Sequence, residues 1–273
     1  MRNSSITNPT SGLPRTQSLS FVDSHLHLAD SSYSSIIGEI IQDATANNVS
    51  YLLSNAMDYH TSIVTLEIAK KYPQKVLAAV GVHPWTANSN ANCQLNKFEE
   101  LLNANSQYVK AIGEIGLDGK YNQNEKSKKS QQEVFEFFLQ IAEKRRLPVV
   151  VHSRLAAEEA LETLTRYTLP SVLMHWYDGP CELLHQIEDR GYLISIGPAV
   201  TYSRRIIEIA KHADLSLILT ETDGPVSYGG PFKNRATRPS FVIEVARTLM
   251  EIKSQSLETV QAAILRNFER LTT

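Results

Sequence analysis

Apolar positions along the chain follow two alternating textures. Short runs rich in β-branched and aromatic residues, the mark of buried strands, occupy residues 21–22, 49–54, 76–80, 108–112, 148–151, 171–174, 192–196 and 215–219. Between them, apolar residues recur at helical spacing over 36–44, 63–71, 95–103, 130–146, 156–167, 183–190 and 203–212, and again over 240–251 and 257–266. In the long fourth stretch, Val134, Phe137, Phe138 and Ile141 share one face. Strands that alternate with helices build a parallel sheet, because parallel neighbours need a crossover connection. Eight such units in about 250 residues predict a closed α/β barrel, the (β/α)8 TIM barrel. The competing architecture is an open doubly wound sheet, which usually carries a Gly-rich phosphate turn. Neither G-x-G-x-x-G nor G-x-x-x-x-G-K-[ST] occurs.

Residues 1–20 break the pattern. They are rich in Ser, Thr, Asn and Pro, hold no acidic residue and lack an apolar core, so they read as a disordered leader before a single domain over 21–273. A secretory signal needs the missing apolar core, and Pro9, Gly12 and Pro14 spoil an amphipathic transit helix. The 42 % hydrophobic and 21 % charged content is that of a globular domain in water, and no apolar run approaches the ~18–20 residues of a membrane span. Two cysteines, Cys93 and Cys181, make neither a zinc cluster nor a disulfide framework and fit a reducing, cytoplasmic compartment. A net charge of -2 advertises no global positive field toward nucleic acid.

The reactive side chains cluster at one end of the expected barrel. His25 and His27 follow the first strand, and at i and i+2 they present two imidazoles on one face, a chelating pair. Asp23 shares that face, as a ligand or as an orienting partner. His83 follows the third strand, Glu114 the fourth, His152 the fifth, His175 the sixth and Asp223 the eighth. An isolated H-x-H is more often a pair of exposed strand histidines. Five histidines and two acids at the strand ends, where such barrels keep their active sites, point to a metal centre. His60, His185 and His212 lie in helical patterns instead.

The ligand types suggest two divalent ions, one held by His25, His27 and Asp223, the other by His152 and His175, with Glu114 bridging. Imidazole with carboxylate suits Zn²⁺ or Mn²⁺, whereas Mg²⁺ prefers oxygen. Asp223 and Glu114 are the catalytic candidates, Asp223 as the group that orients or deprotonates an attacking water. No general acid is evident.

Several segments resemble one family. Asp23-Ser24-His25-Leu26-His27, Gly113-Glu114-Ile115-Gly116-Leu117-Asp118, Val151-His152-Ser153-Arg154, His175 with an aromatic after it, and Glu221-Thr222-Asp223-Gly224-Pro225 are similar to the motifs of the TatD family. These are metal-dependent deoxyribonucleases on an amidohydrolase-like barrel, and the resemblance spans about residues 21–271. It implies a binuclear site built from the six residues above, with Mg²⁺ or Mn²⁺ supporting activity and Zn²⁺ often bound. It also implies hydrolysis of DNA phosphodiesters, typically from 3′ ends of single strands or at damaged sites, with His83 near the substrate.

This chain departs from the family pattern in three places. His175-Trp176-Tyr177-Asp178-Gly179 stands where His-Cys-Phe-Ser-Gly is usual, which brings an acid near the phosphate site. Residues 226–238 form a longer, more basic segment that resembles an archaeal-type subgroup. Gly119 replaces a frequent aromatic, with Tyr121 displaced by two.

The substrate-binding candidates are His83, Arg154, Trp176, Tyr228, Lys233 and Arg235. Arg204, Arg205 and Arg238 are further loop cations for a phosphate backbone, and Trp85, Tyr177 and Tyr202 further loop aromatics for unpaired bases. Taken singly, each cation is more readily a solvated loop residue. The expected partner is single-stranded DNA, with no membrane and no obligate protein partner. Two alternatives compete. One is a hydrolase of another ester or amide, such as an aminoacyl-tRNA deacylase or a small-molecule amidohydrolase. A carboxylatable lysine on the fourth strand would favour the amide or lactone enzymes, and Glu114 stands there instead. The other is a non-catalytic, metal-stabilised binding protein, against which the complete ligand set argues.

Overall fold

A computed structural model describes residues 20–273 except 88, 122 and 123, with the side chains of 89–94 also outside the description. The expected leader lies outside it, save for Ser20. The strands are β1 (Phe21–Leu26), β2 (Val49–Asn55), β3 (Val76–Val80), β4 (Val109–Gly116), β5 (Val149–His152), β6 (Val172–Met174), β7 (Leu193–Ile196) and β8 (Ile218–Thr220). They pair in parallel in the order of the chain. The main helices are α1 (Ile37–Ala46), α2 (Tyr59–Lys71), α3 (Ser89–Ala104), α4 (Glu125–Arg145), α5 (Ala157–Leu164), α6 (Leu184–Asp189), α7 (Arg204–His212), α8 (Val242–Lys253) and α9 (Leu257–Thr272). This is the (β/α)8 barrel, and none of the described helices is long and apolar enough to cross a membrane.

Helix starts deviate from the apolar periodicity where polar caps extend them. Asp58 accepts the Thr61 amide at 2.8 Å and carries α2 back to Tyr59. Asn124 accepts the Ser127 amide at 3.0 Å and starts α4 five residues before the expected stretch at 130. The last strand is shorter than its apolar run. Asp214 accepts the Ser216 amide at 2.8 Å, which turns Leu215–Leu217 into a 3-10 helix and leaves three residues extended.

The ring closes between β1 and β8 largely through side chains. Thr220 Oγ1 donates to the Val22 carbonyl at 2.7 Å, and the Asp23 carboxylate accepts the Thr222 amide at 2.9 Å and its hydroxyl at 2.6 Å. Beyond them the main chain takes over, with Asp223 N–H on the His25 carbonyl at 2.8 Å and His27 N–H on the Gly224 carbonyl at 2.7 Å. Asp23 therefore stitches the barrel shut and is committed to Thr222, which corrects its expected place beside the histidine rings. Burial pushes its carboxyl well above the usual carboxylate range, against the pull of Thr222. The seam also fixes the site, because it joins the His25–His27 segment to Asp223.

Asp23→Ala removes the acceptor of three buried donors, the Thr222 amide and hydroxyl and the His25 amide, and is expected to destabilise the fold by about 3 kcal/mol. Thr222→Val, which keeps the amide bond, costs about 1 kcal/mol. A urea unfolding midpoint unmoved in Asp23→Ala would refute the closing role of this seam.

Candidate metal centre

Four donor atoms face one another at the top of β1. His25 Nε2 lies 3.3 Å from His27 Nε2, 3.3 Å from Glu114 Oε2 and 3.4 Å from Asp223 Oδ1. His27 Nε2 lies 3.3 Å from Glu114 Oε2 and 3.2 Å from Asp223 Oδ1. Four ligands at about 2.0–2.1 Å from a shared centre stand about 3.3–3.4 Å apart when tetrahedral. The five distances match that spacing. His27 Nδ1 donates to the Asn55 carbonyl at 2.9 Å, so in the neutral ring the Nε2 lone pair points inward. Glu114 Oε2 is buried with no hydrogen-bond partner, an acceptor among acceptors that a cation would satisfy.

The other Glu114 oxygen serves a second group. Oε1 lies 2.7 Å from His175 Nε2 and 2.8 Å from His152 Nδ1, and those nitrogens are 3.2 Å apart. His152 Nε2 donates to Asp118 Oδ2 at 2.7 Å, which leaves Nδ1 as the free donor atom, a carboxylate–imidazole pair of the kind that backs a metal. Behind His175, the buried Glu221 carboxylate lies 3.6 Å from Nδ1 and accepts the Ser195 hydroxyl at 2.5 Å. The His25 and His175 rings stack at 3.8 Å and 9°, which holds the two groups in register.

His83 is close enough to be a further donor, with Nε2 at 3.2 Å from Glu114 Oε1 and 3.3 Å from His152 Nδ1. Its tautomer argues otherwise. His83 Nδ1 accepts the Trp85 amide at 3.0 Å, so the proton of the neutral ring sits on Nε2. Burial, outweighing the nearby Glu114, lowers its pKa to about 4 and keeps the ring neutral at physiological pH. His83 thus donates a hydrogen bond toward Glu114 and offers no lone pair there.

Burial disfavours charge throughout this cluster, yet the carboxylates and imidazoles overcome it together. His27 rises to about 10 under Asp223 and Glu114, and His152 and His175 are also raised. The surrounding imidazoles hold Glu114 and Asp223 well below the usual carboxylate range.

Local backbone makes this convergence possible. Gly116 ends β4 at φ +137, and a Cβ there would collide with the His152 carbonyl, so β4 and β5 approach closely only with glycine. The turn that follows puts Asp118 under His152. His27, His83, Glu114, His152, His175 and Asp223 line an open cavity of about 500 Å³ together with Trp85, Arg154, Trp176 and Asp178, while His25 is fully buried.

A family described as TatD related DNase matches residues 22–273. The chain belongs to the TatD family. It is 31 % identical over 247 residues to an uncharacterized metal-dependent hydrolase of Methanocaldococcus jannaschii, covering 90 % of this chain and 94 % of that one. It is 27 % identical over 265 residues to the Homo sapiens protein named Deoxyribonuclease TATDN3, covering 94 % and 96 %. The crystal structure of the TatD homolog YJJV from Escherichia coli superposes with a TM-score of 0.85 at 25 % identity, covering 92 % and 97 %. The protein is a TatD-family metal-dependent hydrolase.

In this TatD-family protein the remaining expected contacts separate into two groups. His83, Arg154 and Trp176 line the cavity. Tyr228 does not: it is buried, donates to the Thr222 carbonyl at 2.6 Å and backs Trp176 at 5.5 Å. Lys233 and Arg235 are exposed outside the lining, and the Arg235 guanidinium covers Phe241 at 4.8 Å. Arg205 donates to the Asp178 carbonyl at 2.6 Å, Arg238 pairs with Glu39 at 3.2 Å, and Tyr177 is buried on the Pro180 carbonyl. Arg205, Arg235 and Arg238 are thus engaged with neighbouring groups of the protein. Asp118 and Glu221 received no role from sequence; their signal was an acid four residues after Glu114 and another two before Asp223.

His83→Ala is expected to keep the full metal content of the protein, whereas His152→Ala loses part of it, as read by elemental analysis after dialysis. Asp118→Asn is expected to weaken metal affinity about 10–100-fold in competition with a chromogenic chelator. Imidazoles with raised pKa values must lose protons before ligating, so Zn²⁺ affinity rises with pH between 6 and 8. Calorimetry in buffers of different ionisation enthalpy would then report proton release, and zero release would contradict the assignment.

Proposed function

We propose that the protein hydrolyses phosphodiester bonds of single-stranded DNA with two divalent cations, one in each donor group and Glu114 between them. The observation that carries this reading is Glu114 itself, whose two oxygens face two separate sets of imidazoles. The human relative that bears the name deoxyribonuclease supports the choice of DNA. Mg²⁺, Mn²⁺ or Zn²⁺ held by these sets would supply Lewis acidity toward phosphate oxygens and would lower the pKa of water.

The chain's own residues do the rest. Asp223, at the cavity wall and held ionised by His25 and His27, accepts a hydrogen bond from the attacking water and orients it. Arg154 presents its guanidinium to phosphate oxygens on the cavity side, while His83 stands in the cavity wall with its Nε2 proton directed at Glu114. Arg154 is held by Asp118 at 2.8 Å, which limits its freedom before substrate arrives. Burial raises the Asp178 carboxyl, against the pull of Arg205. A cavity of about 500 Å³ with its donors on the floor takes an unpaired nucleotide, in keeping with attack from a 3′ end or at a damaged, unstacked site.

Single-stranded oligonucleotides labelled at the 3′ or 5′ end, incubated after chelation and re-addition of Mg²⁺, Mn²⁺ or Zn²⁺, test the reading. Wild type is expected to give a metal-dependent ladder whose order reveals 3′→5′ polarity, and Asp223→Asn to lose activity by about 10²–10⁴-fold. Intact DNA under every metal, with the metals shown to be bound, would reject the nuclease.

A further inference from the structure

We propose that Trp85 and Tyr121, braced by Arg154, form a stacking platform for one unpaired nucleobase of the substrate at the cavity rim. The inference rests on the nuclease reading and adds to it a site for the base. Trp85 and Tyr121 are 46 % and 44 % exposed, with ring centroids 4.9 Å apart and planes at 43°. The Arg154 guanidinium lies 5.3 Å from one ring centre and 5.5 Å from the other.

Exposed aromatic rings are common, but here the Trp85 ring is pinned and the Tyr121 ring packs on it and on Arg154. Trp85 Nε1 donates to Asp118 Oδ2 at 2.7 Å, on the same oxygen that takes the His152 Nε2 proton and the Arg154 guanidinium. The Tyr121 amide donates to Asp118 Oδ1 at 3.2 Å, and the Trp85 amide to His83 Nδ1 at 3.0 Å. One carboxylate thus fixes the Trp85 ring and the Tyr121 main chain relative to the candidate ligand His152, whose ring centre is 6.4 Å from that of Trp85. The polar edge of Trp85 is tied down, and both rings keep aromatic surface open to solvent. A flat ring held rigid binds a base face with little ordering cost, whatever the base.

The same rim carries Leu155, 73 % exposed at φ +53, a backbone region a leucine rarely adopts. Its loop closes on Gly119, where a Cβ would stand 2.5 Å from the Leu155 carbonyl oxygen. Glycine at 119 therefore admits the Leu155 loop, and the aromatic two residues later meets Trp85.

The test walks one abasic (tetrahydrofuran) residue along a single-stranded oligonucleotide and measures steady-state hydrolysis by the metal-loaded enzyme. Wild type is expected to show, at one position relative to the cleaved bond, a KM raised on the order of ten-fold, with a smaller change in kcat. Trp85→Ala and Tyr121→Ala show a raised KM on the unmodified strand and a flat abasic profile, and Trp85→Phe keeps the position-dependent rise. Bound metal and melting temperature, measured for each variant, report on the fold. A flat wild-type profile with normal hydrolysis overturns the platform alone, as does a Trp85→Ala profile that keeps the rise. A Trp85→Ala protein that loses metal beside a Tyr121→Ala protein with the wild-type profile also overturns it. Failure of metal-loaded wild type to cut any strand overturns the nuclease reading, and the platform with it.

Discussion

A buried carboxylate shared between two groups of imidazoles governs the top of this barrel. Glu114 is 1 % exposed, and an isolated ion at that depth would be expelled or neutralised. It stays ionised because imidazole nitrogens ring both oxygens, and those imidazoles are held by carbonyls, carboxylates and stacking. Each part is costly alone and tolerable only with the others. Such a cluster is consistent with cations that balance the converging lone pairs, and it makes little sense as a device for stability.

The barrel supplies the stiffness this arrangement needs. β1 brings His25 and His27 to the rim, β4 brings Glu114, β5 brings His152, and the seam at Asp23 and Thr222 binds the first to Asp223 across the closing edge. The loops then add a second layer. Asp118 receives His152, Trp85 and Arg154 on a single oxygen, so the orientation of a candidate ligand and the shape of the cavity mouth share one support. Glu221 and Ser195 brace the opposite side at His175.

Much of the fold was legible because burial imposes periodicity. The eight β-branched runs matched the eight strands, and the helical spacings matched the main helices. The misses have polar causes. Caps at Asp58 and Asn124 lengthen helices beyond their apolar faces, and Asp214 turns the first part of the last apolar run into a 3-10 helix. Candidate ligands were legible for a related reason: a strand end in a parallel barrel is a known place in space, so seven residues scattered over about 200 positions could be read as one site.

The sequence by itself determined the barrel, the rim and the types of donor atom present there, since each follows from local spacing and strand position. Tertiary structure decided what spacing does not encode. It took Asp23 from the site and made it a seam, gave His83 a tautomer, and raised Asp118 to a shared anchor. It also engaged Arg205, Arg235 and Arg238 with carbonyl, ring and carboxylate. Hydrogen-bond roles and charge pairing depend on which groups from distant segments meet within about 3 Å. That distance is set only when the barrel closes.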